Sequence, residues 1–188
     1  MKGNAMTAVT LIDRFVPRSI PADAAIITGG AVLTAIAAQV QIPMFPVPMT
    51  LQTFSVLLVA AALGAGRASL SMALYLAMGA IGLPVFAGAK TLTGVLPTAG
   101  YLVGFVAAAA VIGFLASKGF SKNPLKLAFS FALGSVIIYA LGVSGLMLSL
   151  GLTLEQALAA GVIPFLIGDV VKAVMAALAL PLAWKLLK

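Results

Sequence analysis

Apolar residues fall along this 188-residue chain in long blocks, not in alternation, and the breaks between blocks carry proline, glycine or charge. Six blocks stand out, roughly Ala24 to Val40, Thr50 to Leu63, Ala68 to Ile81, Thr98 to Ala116, Leu127 to Leu150 and Pro164 to Trp184. Helix rises about 1.5 Å per residue, so blocks of this kind predict helices that cross a bilayer. The alternation that marks a barrel strand is absent. The second and third blocks are short and meet at Gly64, Ala65, Gly66 and Arg67. Paired glycines and an arginine at that point predict a hairpin of two helices, not one kinked helix.

Composition narrows the class. The chain is 63% apolar and 8% charged, against about 25% charged in a soluble domain. So few charges leave large apolar patches, which water penalises and lipid accepts. The expected architecture is an all-α membrane protein of six transmembrane helices. With no cysteine and no histidine, the chain lacks disulfides, thiolate nucleophiles and the commonest metal ligands, and no metal site or cofactor is expected. The net charge is +7, but the basic residues lie between apolar blocks and not in one aromatic-interleaved patch, so nucleic acid is not an expected partner. Nine of them fall on the side of the N-terminus: Lys2, Arg14, Arg18, Arg67, Lys118, Lys122, Lys126, Lys185 and Lys188. Only Lys90 falls on the other side, and Lys172 lies inside the last block. This bias predicts that both termini are cytoplasmic. Fusing the second and third blocks would move Lys118, Lys122 and Lys126 across the membrane and destroy the pattern. Residues 1–23 lack the features of a signal peptide and read as a cytoplasmic or interfacial segment, and residues 24–188 as one domain without internal repeats.

The outer segments carry most of the punctuation. Between Gln41 and Met49 stand Pro43, Pro46 and Pro48 with Phe45 among them, which predicts a stiff extended turn. A loop from Pro84 to Pro97 contains Phe86, Gly88, Lys90, Thr91, Thr93 and Gly94, a mixture polar enough to be wet and suited to a lid. Thr153 and Gln156 have capping-box spacing, which predicts a short helix ending near Gly161, with Pro164 in the first turn of the last span.

The sharpest chemical signal is Asp169 with Lys172, two ionisable residues three apart on one face of the last span. They either neutralise each other as a packing pair, hold a polar ligand or line an ion path. Gln39, Gln41 and Gln52 gather with Thr50 and Thr53 near one end of the bundle; Gln52 is the best ligand candidate among the amides, unless headgroups simply wet it. Tyr75, Tyr101 and Tyr139 fit belt or packing roles as well as ligand roles, and Trp184 beside Lys185 suits an interface anchor. Ala31, Ala35 and Ala38 form a small-residue stripe that admits either another chain's helix or a neighbour in the same bundle. An intramembrane enzyme using Asp169 or Lys172 as acid or base is a competing class, weakened by the lack of histidine, cysteine and a base-activated serine. A purely structural subunit is a third.

Four strings resemble the BioY family, the biotin-specific S components of energy-coupling factor (ECF) transporters: AIAAQVQIPMFPVPMTLQTF from Ala35 to Phe54, GAIGLPVFAG from Gly79 to Gly88, PTAGYLVGF from Pro97 to Phe105, and IGDVVKA from Ile167 to Ala173. The resemblance spans essentially everything beyond residue 23. It implies an S-component-like bundle in the plasma membrane, with both termini inside, that captures biotin from the extracytoplasmic face. It also implies a transmembrane coupling subunit and two cytoplasmic ATPases as partners, consistent with the lack of a GxxxxGK[ST] motif here and with a non-enzymatic role. Carried onto matching positions, Asp169 and Lys172 are the polar pair, Gln52 is the polar residue after the proline-rich loop, and Ala31 and Ala35 are the coupling face. Biotin has a ureido ring, an apolar body and a carboxylate. Asp169, Lys172, Gln52, Phe45, Phe86, Lys90, Tyr101 and Tyr139 supply suitable groups, with the orientation of the ligand left open. The chain departs from the family where GPTGGY is common and Leu96, Pro97, Thr98, Ala99, Gly100 and Tyr101 stand instead. Lys90 is the only basic residue of a loop that often carries arginine, and is either the carboxylate's partner or a solvated charge. An S component for another vitamin, such as thiamine, shares the same architecture.

Overall fold

The computed structural model describes residues 10–93 and 96–186. Lys2, Gly94 and Lys188 of the charge and loop readings lie outside the described residues. Seven α-helices occur among them: α1 (Ile20–Gln39), α2 (Gln52–Leu63), α3 (Ala65–Ala80), α4 (Ala99–Ser117), α5 (Pro124–Leu150), α6 (Leu154–Gly161) and α7 (Leu166–Leu186). Each of the six apolar blocks is helical, and α6 is the short helix that Thr153 and Gln156 predict. Thr153 Oγ1 accepts from Gln156 N at 3.3 Å and Gln156 Oε1 accepts from Thr153 N at 2.9 Å. Pro164 sits ahead of its expected place, in a 3-10 turn, Ile163–Phe165, that leads into α7.

Two boundaries differ from expectation. Ser19 caps α1 by accepting from Ala22 N, and Pro21 occupies its first turn, so the helix starts at Ile20 and the expected division at residue 23 falls inside it. Asn123 caps α5 in the same way, with Pro124 at its first position. Among the described residues, four stretches are long and apolar enough to cross a membrane on their own: α1, α4, α5 and the run Leu154–Leu182. At 12 residues, α2 reaches only about 18 Å. It buries residues on most of its circumference, including Gln52, Ser55, Val56, Val59 and Ala60, and packs against α1, α3, α4 and α7. A helix wrapped by protein has no need to meet lipid at both ends.

The most extensive helix pairing is α4 with α5. A Cβ on Gly100 would overlap the Leu141 carbonyl, so the two backbones touch there only because glycine has no side chain. On α1 the inner face is Ala31, Thr34 and Ala38, and the outward face carries Val32, Leu33, Ile36 and Val40. Ala31 is fully enclosed by this chain's own helices and Ala35 is half-buried against the core. The close approach that Ala31 allows is therefore internal, which corrects its expected place on a partner-facing surface.

Between α1 and α2 the chain forms a small hairpin, β1 (Gln41–Ile42) against β2 (Met49–Thr50), antiparallel with Gln41 opposite Thr50. Its prolines lie at the tip and flanks, outside the paired residues. At the other end of the bundle Arg67, buried in the first turn of α3, joins two segments. Its Nη1 donates to Asp13 Oδ1 at 2.8 Å and its Nε to Asp23 Oδ1 at 2.9 Å. Arg18 Nε adds a bond to Asp13 at 3.2 Å. Trp184 of α7 lies under Lys122 Nζ (4.7 Å from the ring centroid) and the Arg14 guanidinium (5.8 Å). The N-terminal segment, the α2–α3 turn, the α4–α5 turn and the end of α7 thus meet at one end.

Partial burial opposes ionisation of Asp13, but hydrogen bonds from Arg18 and Thr10, the Arg18 charge and the Arg67 hydrogen bond outweigh it and hold its carboxyl at about 2, below the ordinary 3.8. A depressed pKa contributes stability that is complete above pH 3.8 and is lost as pH falls through 2. Arg67→Ala removes the buried guanidinium that bonds both Asp13 and Asp23 and is expected to cost about 2 kcal/mol, read as a lower unfolding midpoint in detergent. The gap between wild type and Asp13→Asn should close on acidification from pH 5 toward about 2; a constant gap would show that the Asp13 charge contributes nothing.

Candidate functional site

The start of α7 brings Asp169 and Lys172 under the hairpin, against α2 and α5. Both side chains are only 11% exposed, and Lys172 Nζ donates to Asp169 Oδ1 at 2.9 Å. The remaining hydrogens of the ammonium go to the Thr50 carbonyl at 2.8 Å and Thr53 Oγ1 at 3.1 Å. Thr53 in turn donates to Asp169 Oδ1 at 3.1 Å, and the Tyr139 hydroxyl donates to Asp169 Oδ2 at 2.6 Å. All three hydrogens of the lysine are engaged, whereas Asp169 Oδ2 accepts from one donor and keeps capacity for another. Beside this cluster Gln52 accepts from the Thr50 hydroxyl at 2.9 Å and donates to the Tyr75 hydroxyl at 2.7 Å.

These groups, Tyr75 apart, form one wall of a narrow cleft. The other walls are apolar and aromatic: Val47 of the hairpin, Tyr101, Leu102 and Phe105 of α4, Ile138 of α5, and Phe165. The Tyr101 hydroxyl donates to the Gly161 carbonyl at 2.7 Å, which fixes its ring across the end of α6. A carboxylate with a free lone pair, an amide and two phenols facing an apolar wall suit a molecule with a hydrogen-bonding head and an apolar body. No group of metal-binding residues occurs among the described residues.

A model of the BioY family matches residues 6–188. The chain belongs to the BioY family. It is 43% identical over 155 residues to the biotin transporter BioY of Thermotoga maritima, covering 78% of this chain and 86% of that one. It is 40% identical over 147 residues to the biotin transporter BioY of Rhodobacter capsulatus, covering 71% and 77%. The fold is similar to a 2.1 Å crystal structure of the S-component for biotin from an ECF-type ABC transporter. The TM-score is 0.76 and the identity 23%, over 89% of this chain and 95% of that one. With its apolar helices, this BioY-family chain is a multi-pass membrane protein.

Of the residues singled out from sequence, Asp169, Lys172, Gln52, Tyr101 and Tyr139 converge on the cleft. Phe45 and Phe86 do not, which corrects their expected places in its wall, and Lys90 does not line it either. Phe45 sits at the hairpin tip, 92% exposed, because the turn directs Val47 inward in its stead. Phe86 is buried behind α3, edge-on to Tyr75, and Lys90 is exposed on the following stretch of loop. Thr53, Phe105 and Phe165 were not expected as walls. Phe105 is four residues after Tyr101 and Phe165 four before Asp169, a spacing that places each on the face of a residue already chosen.

Breaking the pair from one side leaves a buried charge, and removing both halves does not. Lys172→Met alone is expected to cost about 3 kcal/mol, with at least about 1 kcal/mol recovered in Lys172→Met with Asp169→Leu. Unfolding of the two single variants and the double variant in one detergent measures this; simple additivity would mean that the two charges do not depend on each other.

Proposed function

We propose that this chain is the high-affinity biotin-binding membrane subunit, or S component, of an ECF-type vitamin uptake transporter. The observation that carries the reading is the Asp169–Lys172 pair with its spare acceptor in an otherwise apolar cleft. Relatives named as biotin transporters support biotin as the ligand. Asp169 Oδ2 accepts a ureido N–H, Gln52 offers a second polar contact, and Tyr101, Tyr139 and Phe105 cover the apolar body. Lys172 holds Asp169 oriented.

Biotin enters from the extracytoplasmic side, and both termini lie in the cytoplasm. Support comes from the gathering of Arg14, Arg18, Arg67, Lys122 and Lys185 at the end away from the cleft. Lacking a phosphate-binding loop, the chain draws on a transmembrane coupling subunit and two cytoplasmic ATPases for ATP hydrolysis. It is a plasma-membrane binding subunit that catalyses nothing itself and carries no cofactor.

Calorimetric titration of the purified, ligand-stripped protein with biotin, thiamine and riboflavin tests the reading. One-to-one binding of biotin alone is expected. Binding of thiamine instead would reassign the vitamin, and a folded protein that binds none would make the charged pair structural. Asp169→Asn and Lys172→Ala should each weaken biotin binding by more than about tenfold, roughly 1.4 kcal/mol. Near-native affinity in folded Lys172→Ala would overturn its assignment.

A further inference from the structure

The cleft and the loop that joins α3 to α4 are linked by hydrogen bonds that run through Thr50, whose backbone carbonyl and side-chain hydroxyl each take part. From Asp169 the path passes through Lys172 to the Thr50 carbonyl (2.8 Å), from the Thr50 hydroxyl to Gln52 Oε1 (2.9 Å), and from Gln52 Nε2 to the Tyr75 hydroxyl (2.7 Å). It ends where Tyr75 donates to the carbonyl of Val85 in the loop, at 3.1 Å. Tyr75 is fully buried in α3 and lines no part of the cleft. Its ring meets Phe86 edge-on with centroids 5.3 Å apart, and the Phe86 ring lies over Gly79, where a Cβ would overlap it. A second anchor is independent of the cleft. Gln39 Nε2 donates to the carbonyls of Val85 (3.3 Å) and Phe86 (3.1 Å), and its Oε1 accepts from Ala89 N (3.1 Å).

We infer that Tyr75 is a positioning residue that couples occupancy of the cleft to the seating of the loop at 83–90. The lysine's three hydrogens are all in use, so a ligand bonding to Lys172 must draw on a bond already made, and one that takes the spare acceptor of Asp169 Oδ2 shares the carboxylate with Lys172, Thr53 and Tyr139. The change reaches Thr50 and then Gln52, whose buried amide donates to Tyr75. Tyr75 has one further bond, to the loop. Coupling of this kind is reciprocal: loosening the Val85 contact weakens the cleft by the factor with which the ligand reseats the loop.

The chain has no cysteine, so Ala87→Cys places a single thiol at a loop position that is 9% exposed. Its rate of reaction with a maleimide reports loop seating. Saturating biotin should change that rate by about fivefold, the scale of one net hydrogen bond. In a Tyr75→Phe background the thiol should react faster without ligand and no longer respond to biotin, although calorimetry still shows biotin bound, about fivefold more weakly. Gln39→Leu should also speed labelling but keep the biotin response, which separates a loosened loop from a severed link. The biotin arm rests on the proposed function. A ligand-free arm does not: Lys172→Ala should itself change the labelling rate, and Tyr75→Phe should abolish that change. Failure of biotin to bind with the Lys172→Ala effect intact would count against the vitamin and leave the coupling standing. A Tyr75→Phe protein that keeps either response would overturn the inference.

Discussion

An ammonium and a carboxylate withdrawn from water must each be matched by partners, and this demand organises the hairpin end of the molecule. Asp169 and Lys172 sit one turn apart on α7, yet they are completed by Thr50 at the end of β2, Thr53 on α2 and Tyr139 on α5. No short stretch of chain holds all of these. Packing of α2 against α7, and of α5 against α7, is what delivers them, so the site exists only in the assembled bundle. A pair of apolar residues would meet the packing requirement with no desolvation cost. What the charges add is a fixed acceptor facing a cavity, which apolar side chains cannot provide.

How the sequence relates to this site depends on the kind of residue. Asp169 and Lys172 were legible because charge inside an apolar block has few explanations. Tyr101, Tyr139 and Gln52 were legible as types but not as partners, since their bonds run to Gly161, Asp169 and Tyr75 across distant parts of the chain. The aromatic residues of the connecting segments misled. Which of Phe45 and Val47 faces the cleft is decided by the hairpin, and whether Phe86 lines a cavity or plugs a helix is decided by the space above Gly79. Neither is a property of the local sequence. The helices were legible from hydropathy and capping residues. The enclosure of Ala31 was not, because a small residue signals close approach without saying by what.

The two ends of the bundle are fastened by different physics. At one, Arg67 and Arg18 tie Asp13 and Asp23 through full charges, and cations stack on Trp184. At the other, between the cleft and the α3–α4 loop, the links are neutral hydrogen bonds of Gln39, Gln52 and Tyr75. Bonds between neutral groups are each worth about 1 kcal/mol net, so the α3–α4 loop reseats at small cost while the ion-paired segments stay fixed.

The length of α5 has a consequence for the surrounding lipid. Leu125 and Leu148, near its two ends, are 81% and 88% exposed. They lie about 35 Å apart along the axis, more than the roughly 30 Å of hydrocarbon available. Hydrophobic mismatch of this size is relieved when the helix tilts or the bilayer thickens beside it. Because α4 touches α5 backbone to backbone at Gly100, the two incline together, and with them Tyr101, Phe105, Ile138 and Tyr139. Bilayer thickness therefore bears on the inclination of the α4–α5 pair as a unit, from outside the protein.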